Sequence, residues 1–379
     1  MPSSYIIIGG NGFLGRHVQE QIRLRNDNST IAVFDIAMPA QPEKDVKYIV
    51  GDLRKYEDVL AALDGIDAVI HTASPPHVNS SNPPRDLYFS INVDGTKNII
   101  RACQEKGIQV LVVTSSGSVI STGEPMVNVD ESAPYPPQAI DVYTESKIEC
   151  EKVVLAANGI EGIRTCTIRP SAIFGPGDRQ LIPGMVEVCQ KGQHRFQIGD
   201  NTSMMDFTYV GNVAYAHVLA AEKLSDPNSP AAGQAFNLTN GTPVPFWDFA
   251  SKVWEVYGMH MPKSKKIILS YNASMVIAAI SETIYEIKAL FWDKSELKEG
   301  MSRSRIKQAM SSRYFDITKA KTLLGYEPQI GLDEGIRLGV KVKYYYETSS
   351  STNTCLNSGT RRTTRRNRLH VFFFIKRVL

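Results

Sequence analysis

The 379-residue sequence has no run of the ~18 apolar residues that a membrane-spanning helix needs. The nearest stretch, 267–292, is interrupted by Ser281 and Glu282; its apolar residues Ile284, Ile287, Leu290 and Phe291 keep a helical spacing. It predicts an amphipathic helix that caps the core or lines a pocket, the alternative being a surface for a membrane or a greasy ligand. Cysteine is scarce: five scattered residues without a CxxC pair read as reduced packing thiols rather than disulfides or zinc ligands. There is no GxSxG elbow, which argues against a serine hydrolase. His71, His77, His194 and His217 are not spaced as metal ligands, so no metal site is expected. No secretory leader is expected, because the apolar run from Tyr5 meets glycine within four residues. Internal repeats are missing too. Excess charge is confined to one place: the formal net charge is +3, and seven basic residues fall within Arg361–Leu379. Without those seven the rest carries −4, which argues against a nucleic-acid partner for the folded part.

What is present alternates. Short apolar runs at Tyr5–Ile8, Ile31–Asp35, Lys47–Val50, Ala68–His71, Val110–Thr114 and Ile163–Arg169 read as strands. Helical patterns lie between them, notably Phe13–Arg25, Arg85–Lys106 and Val142–Asn158. Strand–helix alternation predicts an α/β fold with a Rossmann-like, doubly wound parallel sheet that binds ligands at the strands' carboxyl ends. After Arg169-Pro170 the pattern loosens: a loop at Phe174–Asp178, a helix over Thr208–Leu224 and a strand at Phe236–Leu238. The expected division is a nucleotide-binding domain over 1–175 with returning elements at about 207–240. Segments 176–206 and 240–346 then form a smaller interleaved substrate-binding lobe. The polar, then basic and aromatic tail over 347–379 reads as disordered, as a membrane-docking element or as a gene-model error.

Gly9-Gly-Asn-Gly12-Phe-Leu-Gly15 follows the first strand and opens a helix, the context of a dinucleotide fingerprint. Gly9 permits a tight turn, Gly12 lets the backbone approach a pyrophosphate, and Gly15 permits close helix packing. Asp35 ends the second strand, where a carboxylate bonds ribose hydroxyls and favours NAD; Arg16 keeps NADP open. Asp52 meets the adenine edge or caps the helix that begins near Lys55.

Tyr143-x-x-x-Lys147 places a phenol and an ammonium one turn apart on a helix face. The ammonium favours the phenolate and brings the phenol from about 10 toward neutrality. Ser115, Ser116 and Ser118, after the fifth strand, compete to hold a substrate oxygen. This is equipment for taking a proton from an alcohol while a nucleotide takes the hydride.

Over 5–346 the sequence resembles the extended short-chain dehydrogenase/reductase superfamily, and within it the 3β-hydroxysteroid dehydrogenase branch. The resemblance is carried by the glycine motif, Asp35, Asp52, His71-Thr-Ala-Ser74, Asn92-Val-Asp-Gly-Thr96, Thr114-Ser-Ser116 and Tyr143-x-x-x-Lys147 in family order. It implies Ser116, Tyr143, Lys147 and Asn92 as catalytic residues, Asn92 supporting the lysine's proton relay. It implies a cofactor site from Gly9, Gly12, Phe13, Leu14, Gly15, Asp35, Asp52, Leu53, Thr72, Ala73, Tyr143, Lys147 and Pro170. The segments Arg169–Asp178, Phe207–Val213 and Phe236–Asp248 are similar to those of the branch's sterol-biosynthesis members, with Gly211 in place of their aspartate. These members imply oxidation of the 3β-hydroxyl of a 4α-carboxysterol with loss of carbon dioxide. Peripheral attachment to the cytosolic face of the endoplasmic reticulum, and a homodimer or association with other C4-demethylation enzymes, are implied in turn. A steroid dehydrogenase/isomerase, another triterpenoid or alicyclic alcohol dehydrogenase, and a non-catalytic NAD-binding regulator remain alternatives.

Overall fold

The computed structural model describes residues 1–75, 84–262, 265–289 and 302–351. His77, Leu290, Phe291 and most of the basic tail lie outside them. Seven parallel strands form the main sheet: β1 (Ser4–Ile8), β2 (Thr30–Asp35), β3 (Val46–Val50), β4 (Ala68–His71), β5 (Val110–Thr114), β6 (Arg164–Pro170) and β7 (Gln234–Leu238). Their spatial order is β7-β6-β5-β4-β1-β2-β3. Tyr5 pairs with both Ile31 and Ala68, so β1 sits between β2 and β4. The order reverses there, the switch point at which sheets of this kind bind ligands beyond the carboxyl ends of their strands. β1 and β5 are buried along their whole length, because helices cover both faces of a parallel sheet.

The helices are α1 (Phe13–Arg25), α2 (Tyr56–Ala62), α3 (Arg85–Phe89), α4 (Gly95–Lys106), α5 (Val142–Ala156), α6 (Leu181–Gln190), α7 (Val210–Leu224), α8 (Phe246–Val256) and α9 (Tyr271–Ala289), with further helix from Arg303 onward. The pattern over 85–106 is not one regular helix: a π turn over Ser90–Asp94 joins α3 to α4 and carries Asn92. Such turns widen a helix by one residue per turn and cluster at functional sites. Thr208–Leu224 is also divided. Thr208 and Tyr209 pair in parallel with Ile173 and Phe174, so Phe174 belongs to a short strand and the helix begins at Val210. Gly211 lies in the first turn of this helix, and a Cβ there would sit 2.6 Å from Cε1 of Tyr209. The bare glycine makes room for that ring.

The chain divides into two compact units. The first comprises Met1–Leu181, Asp206–Pro243 and Arg313–Ile336. The second comprises Ile182–Met205, Val244–Ser312 and the chain from Arg337 on. Arg313–Ile336 thus lies with the sheet-bearing unit, whereas the sequence pattern put it in the lobe. The reason is local packing: Phe315 is buried with Val119, Ile120, Met126 and Ile148. In the second unit Ile267–Leu269 pairs in parallel with Phe196–Ile198 rather than joining the helix that follows. α9 buries Ser274, Ala278 and Ser281 and exposes Val276, Ile280 and Ile287. This is the reverse of a core-capping amphipathic helix, since its small side chains face inward. No described helix is long and apolar enough to cross a membrane.

Candidate active site

The glycine turn is built as its spacing requires. Gly9 has φ +81°, a left-handed conformation, and a Cβ there would meet the backbone of Ala73 at 2.6 Å. A Cβ on Gly15 would lie 2.5 Å from the Gly9 carbonyl oxygen, so α1 rests directly on the turn. Gly12 caps α1 with exposed backbone, and a Cβ there would meet the Gly9 oxygen at 3.1 Å. The amino end of a 13-residue helix with no acidic residue in its first turn therefore opens outward beside β1. That is a cradle for an anionic diphosphate. Gly10, which the sequence did not single out, is equally constrained, because its Cβ would strike Val33.

Asp35 touches this turn: its Oδ2 accepts from the Asn11 amide at 2.9 Å and its Oδ1 from the Ile36 amide at 2.8 Å. A carboxylate has further lone pairs for a ribose diol, so the residue fits a dinucleotide. Arg16 turns its Nε toward the Asn11 carbonyl at 3.1 Å. Asp52 does not cap α2, whose cap position is Lys55. Its carboxylate instead accepts from the Arg54 amide at 3.0 Å and from the Arg54 guanidinium, and this hydrogen bond holds the carboxyl below its ordinary range. Leu53 presses on Gly95, whose missing side chain admits it. Phe13 and Leu14 open α1. The Thr72 hydroxyl lies 3.1 Å from the Ile8 carbonyl and 3.2 Å from that of Gly9, and Pro170 ends β6.

Tyr143 and Lys147 sit on α5, which starts where Asp141 accepts the Thr144 amide at 2.7 Å. That cap fixes the first turn and hence the phenol's position. Of the three serines, Ser116 is the one whose hydroxyl acts on the phenol, in the direction that favours the phenolate. Ser118 supports it, with the two hydroxyls 2.9 Å apart. The ring of Tyr88 meets that of Tyr143 edge-on at 5.9 Å. The expected lowering of the phenol does not hold in the protein alone: burial pushes Tyr143 up to about 12, against the Ser116 hydrogen bond. The Lys147 ammonium donates to the Thr114 carbonyl at 3.0 Å, and burial lowers its pKa.

Asn92 is buried beneath this pair. Its Nδ2 donates to Ser146 Oγ at 2.9 Å, and that hydroxyl donates to the Tyr143 carbonyl at 2.7 Å. The Thr96 hydroxyl donates to the Asn92 carbonyl at 2.6 Å, so His71, at 3.2 Å, donates to Thr96 through Nε2. Burial, then Lys147, brings His71 down to about 3 and keeps it neutral. Behind Lys147, His217 Nδ1 donates to the Val213 carbonyl at 2.8 Å, which leaves Nε2 to accept from the Thr114 hydroxyl at 2.7 Å. Ser146 and His217 carry no motif that separates them from ordinary buried polar residues, and their part, like that of the His71 ring within its motif, emerges from the fold.

Residues 6–269 match the 3-beta hydroxysteroid dehydrogenase/isomerase family. The chain is 41% identical over 345 residues to a sterol-4-alpha-carboxylate 3-dehydrogenase, decarboxylating, of Schizosaccharomyces pombe, covering 89% of this chain and 96% of the relative. It is 37% identical over 341 residues to the human protein of that name, covering 88% and 87%. Among solved structures it is similar to a UDP-glucuronic acid 4-epimerase from Bacillus cereus in complex with NAD. The TM-score is 0.68 at 20% identity, covering 90% of this chain and 99% of that one. That likeness establishes the Rossmann-type fold. With the glycine turn, the Ser116–Tyr143–Lys147 grouping and two thirds of the chain matched, the protein belongs to the 3-beta hydroxysteroid dehydrogenase/isomerase family.

Proposed function

We propose that this protein oxidises the 3β-hydroxyl of a 4α-carboxysterol with NAD and releases the 4-carboxylate as carbon dioxide. The observation that carries the reading is buried Lys147 held on the Thr114 carbonyl one turn from Tyr143, with Ser116 acting on that phenol, in the unit that bears the open glycine turn. The substrate class follows relatives of 37% and 41% identity that are named for this reaction. Gly9, Gly12 and Gly15 leave room for the cofactor's diphosphate, and Asp35 takes the adenosine ribose and disfavours a 2′-phosphate. Phe13, Leu14, Asp52, Leu53, Thr72, Ala73 and Pro170 line the rest of its path. When bound, NAD supplies the hydride acceptor. Ser116 holds the 3-oxygen, Tyr143 as phenolate takes its proton, and Lys147 stabilises the phenolate and holds the nicotinamide ribose. Asn92 steadies the first turn of α5 through Ser146. C3 loses hydrogen with its bonding pair and becomes a ketone. The resulting β-keto acid breaks its C4–carboxylate bond, the electron pair passing into the enol, so this chain's residues need only orient the substrate.

The second unit receives the sterol, with peripheral contact to the cytosolic face of the endoplasmic reticulum through the apolar face of α9. A homodimer or an assembly with other C4-demethylation enzymes would pass the greasy intermediates onward. Following NAD reduction and carbon dioxide release over sterols with and without the 4α-carboxylate tests the reading. Carbon dioxide from the carboxysterol alone is expected. Oxidation of unsubstituted sterols with double-bond migration would place the protein with the isomerases instead.

A further inference from the structure

The geometry points to Glu151 as a positioning residue: a buried counter-charge that keeps Lys147 protonated and in place, itself held ionised and oriented by Arg169. The inference rests on the part just given to Lys147. Tyr143, Lys147 and Glu151 follow one another at four-residue intervals on α5 and so share a face. Glu151 is 0% exposed and Lys147 3%. The carboxylate is fully engaged elsewhere. Its Oε1 accepts from Arg169 Nη2 at 2.6 Å, Arg169 Nε at 3.0 Å and the Tyr135 hydroxyl at 2.8 Å. Its Oε2 accepts from the Thr167 hydroxyl at 3.0 Å and Arg169 Nε at 3.1 Å. Glu151 therefore acts on Lys147 through its charge and not through a hydrogen bond.

A dry site favours the neutral amine, so an ammonium in it needs an anion nearby. Among the described residues, those that act on Lys147 are His71 from β4, the Thr114 carbonyl from β5, and Cys150 and Glu151 from its own helix, with Tyr143 one turn before it. His71 is neutral, and burial holds the Cys150 and Tyr143 protons on. Burial pushes the Glu151 carboxyl up, but the hydrogen bond and charge of Arg169 outweigh it and the net direction is down. Glu151 is thus the ionised acid among the described groups that act on Lys147. The same pair ties α5 to β6, the strand that ends at Pro170.

The experiment is the pH profile of sterol-dependent NAD reduction for wild type, Glu151→Gln, Glu151→Asp and the double variant Glu151→Gln/Arg169→Gln. The double variant also removes the arginine that Glu151→Gln would leave without its carboxylate, and so guards against an unfolded single variant. Loss of the counter-charge lowers the Lys147 pKa, so the alkaline limb moves to lower pH by about one unit or more. KM for the sterol should stay near wild type while kcat falls, and Glu151→Asp should restore much of the limb. An alkaline limb at the wild-type position in folded Glu151→Gln or the double variant, with only the melting temperature lowered, would reduce Glu151 to a structural tie. Lys147→Met serves as the control. Turnover without that lysine would overturn the functional reading itself, whereas an inactive Lys147→Met with an unmoved limb overturns this inference alone.

Discussion

At the residue scale the proposed roles separate groups assigned to the substrate oxygen from groups that only hold them. Ser116→Ala removes the hydroxyl that acts on the phenol and with it the oxygen that accepts the Ser118 amide at 3.2 Å. Removing one catalytic partner of this kind costs roughly 100- to 10,000-fold in rate. We expect kcat to fall in that range, with NAD affinity measured by fluorescence nearly unchanged; Tyr143→Phe should behave alike. Asp206 gives a separate, stability-linked prediction. Burial raises its carboxyl to about 6, although its Oδ2 accepts the Phe315 amide at 2.9 Å. The folded state therefore favours the protonated acid. The resulting stability is fully present below the unfolded pKa near 4 and lost as pH rises through about 6. Asp206→Asn keeps an acceptor without the charge, so its melting temperature should exceed wild type at pH 8 and approach it at pH 4. A constant gap across that range would contradict the assignment.

At the element scale, the β1–α1 unit separates the consequences of changing Gly12 and Gly15. Gly12→Ala meets only the Gly9 oxygen, at 3.1 Å, and projects from the helix end that is open to ligand. It should fold with a melting temperature near wild type and bind NAD poorly. Gly15→Ala places Cβ 2.5 Å from backbone and must displace α1 from the turn. Both stability and NAD binding should suffer, as differential scanning fluorimetry with and without NAD would report. The strands and α1 were legible in the sequence because a parallel sheet buried on both faces demands unbroken apolar runs, and a tight turn demands glycine. The break over Ser90–Asp94 was not legible. Its residues have ordinary helical character, and the extra residue per turn is set by how Asn92 meets Ser146 and Thr96. The inverted face of α9 escaped for a related reason: apolar spacing gives a helix its stripe but does not say which side meets the protein.

At the scale of the whole molecule, the cofactor is expected to stabilise the fold by mass action. NAD at about a hundred times its dissociation constant adds about 2.7 kcal/mol. NADP at the same concentration should add clearly less, because Asp35 faces the turn with no arginine directly after it. Equal shifts for the two nucleotides would remove Asp35 from the role given to it. The division into units is also a property of the whole. Arg313–Ile336 lies far along the chain from the sheet, yet it returns to the first unit, where Phe315 stands 3.0 Å from where a Gly117 side chain would be, next to Ser116.

The sequence by itself determined the alternation of strand and helix, the glycine turn and the pairing of Tyr143 with Lys147, because each is a local demand of backbone geometry or of helical spacing. Which of Ser115, Ser116 and Ser118 meets the phenol was decided by the tertiary structure, since it depends on how the turn after β5 faces α5. The same holds for the burial that lifts Tyr143 and for the arginine that keeps Glu151 ionised. Desolvation and charge act through space, and the folded chain alone buries Tyr143 and brings Arg169 from β6 to Glu151.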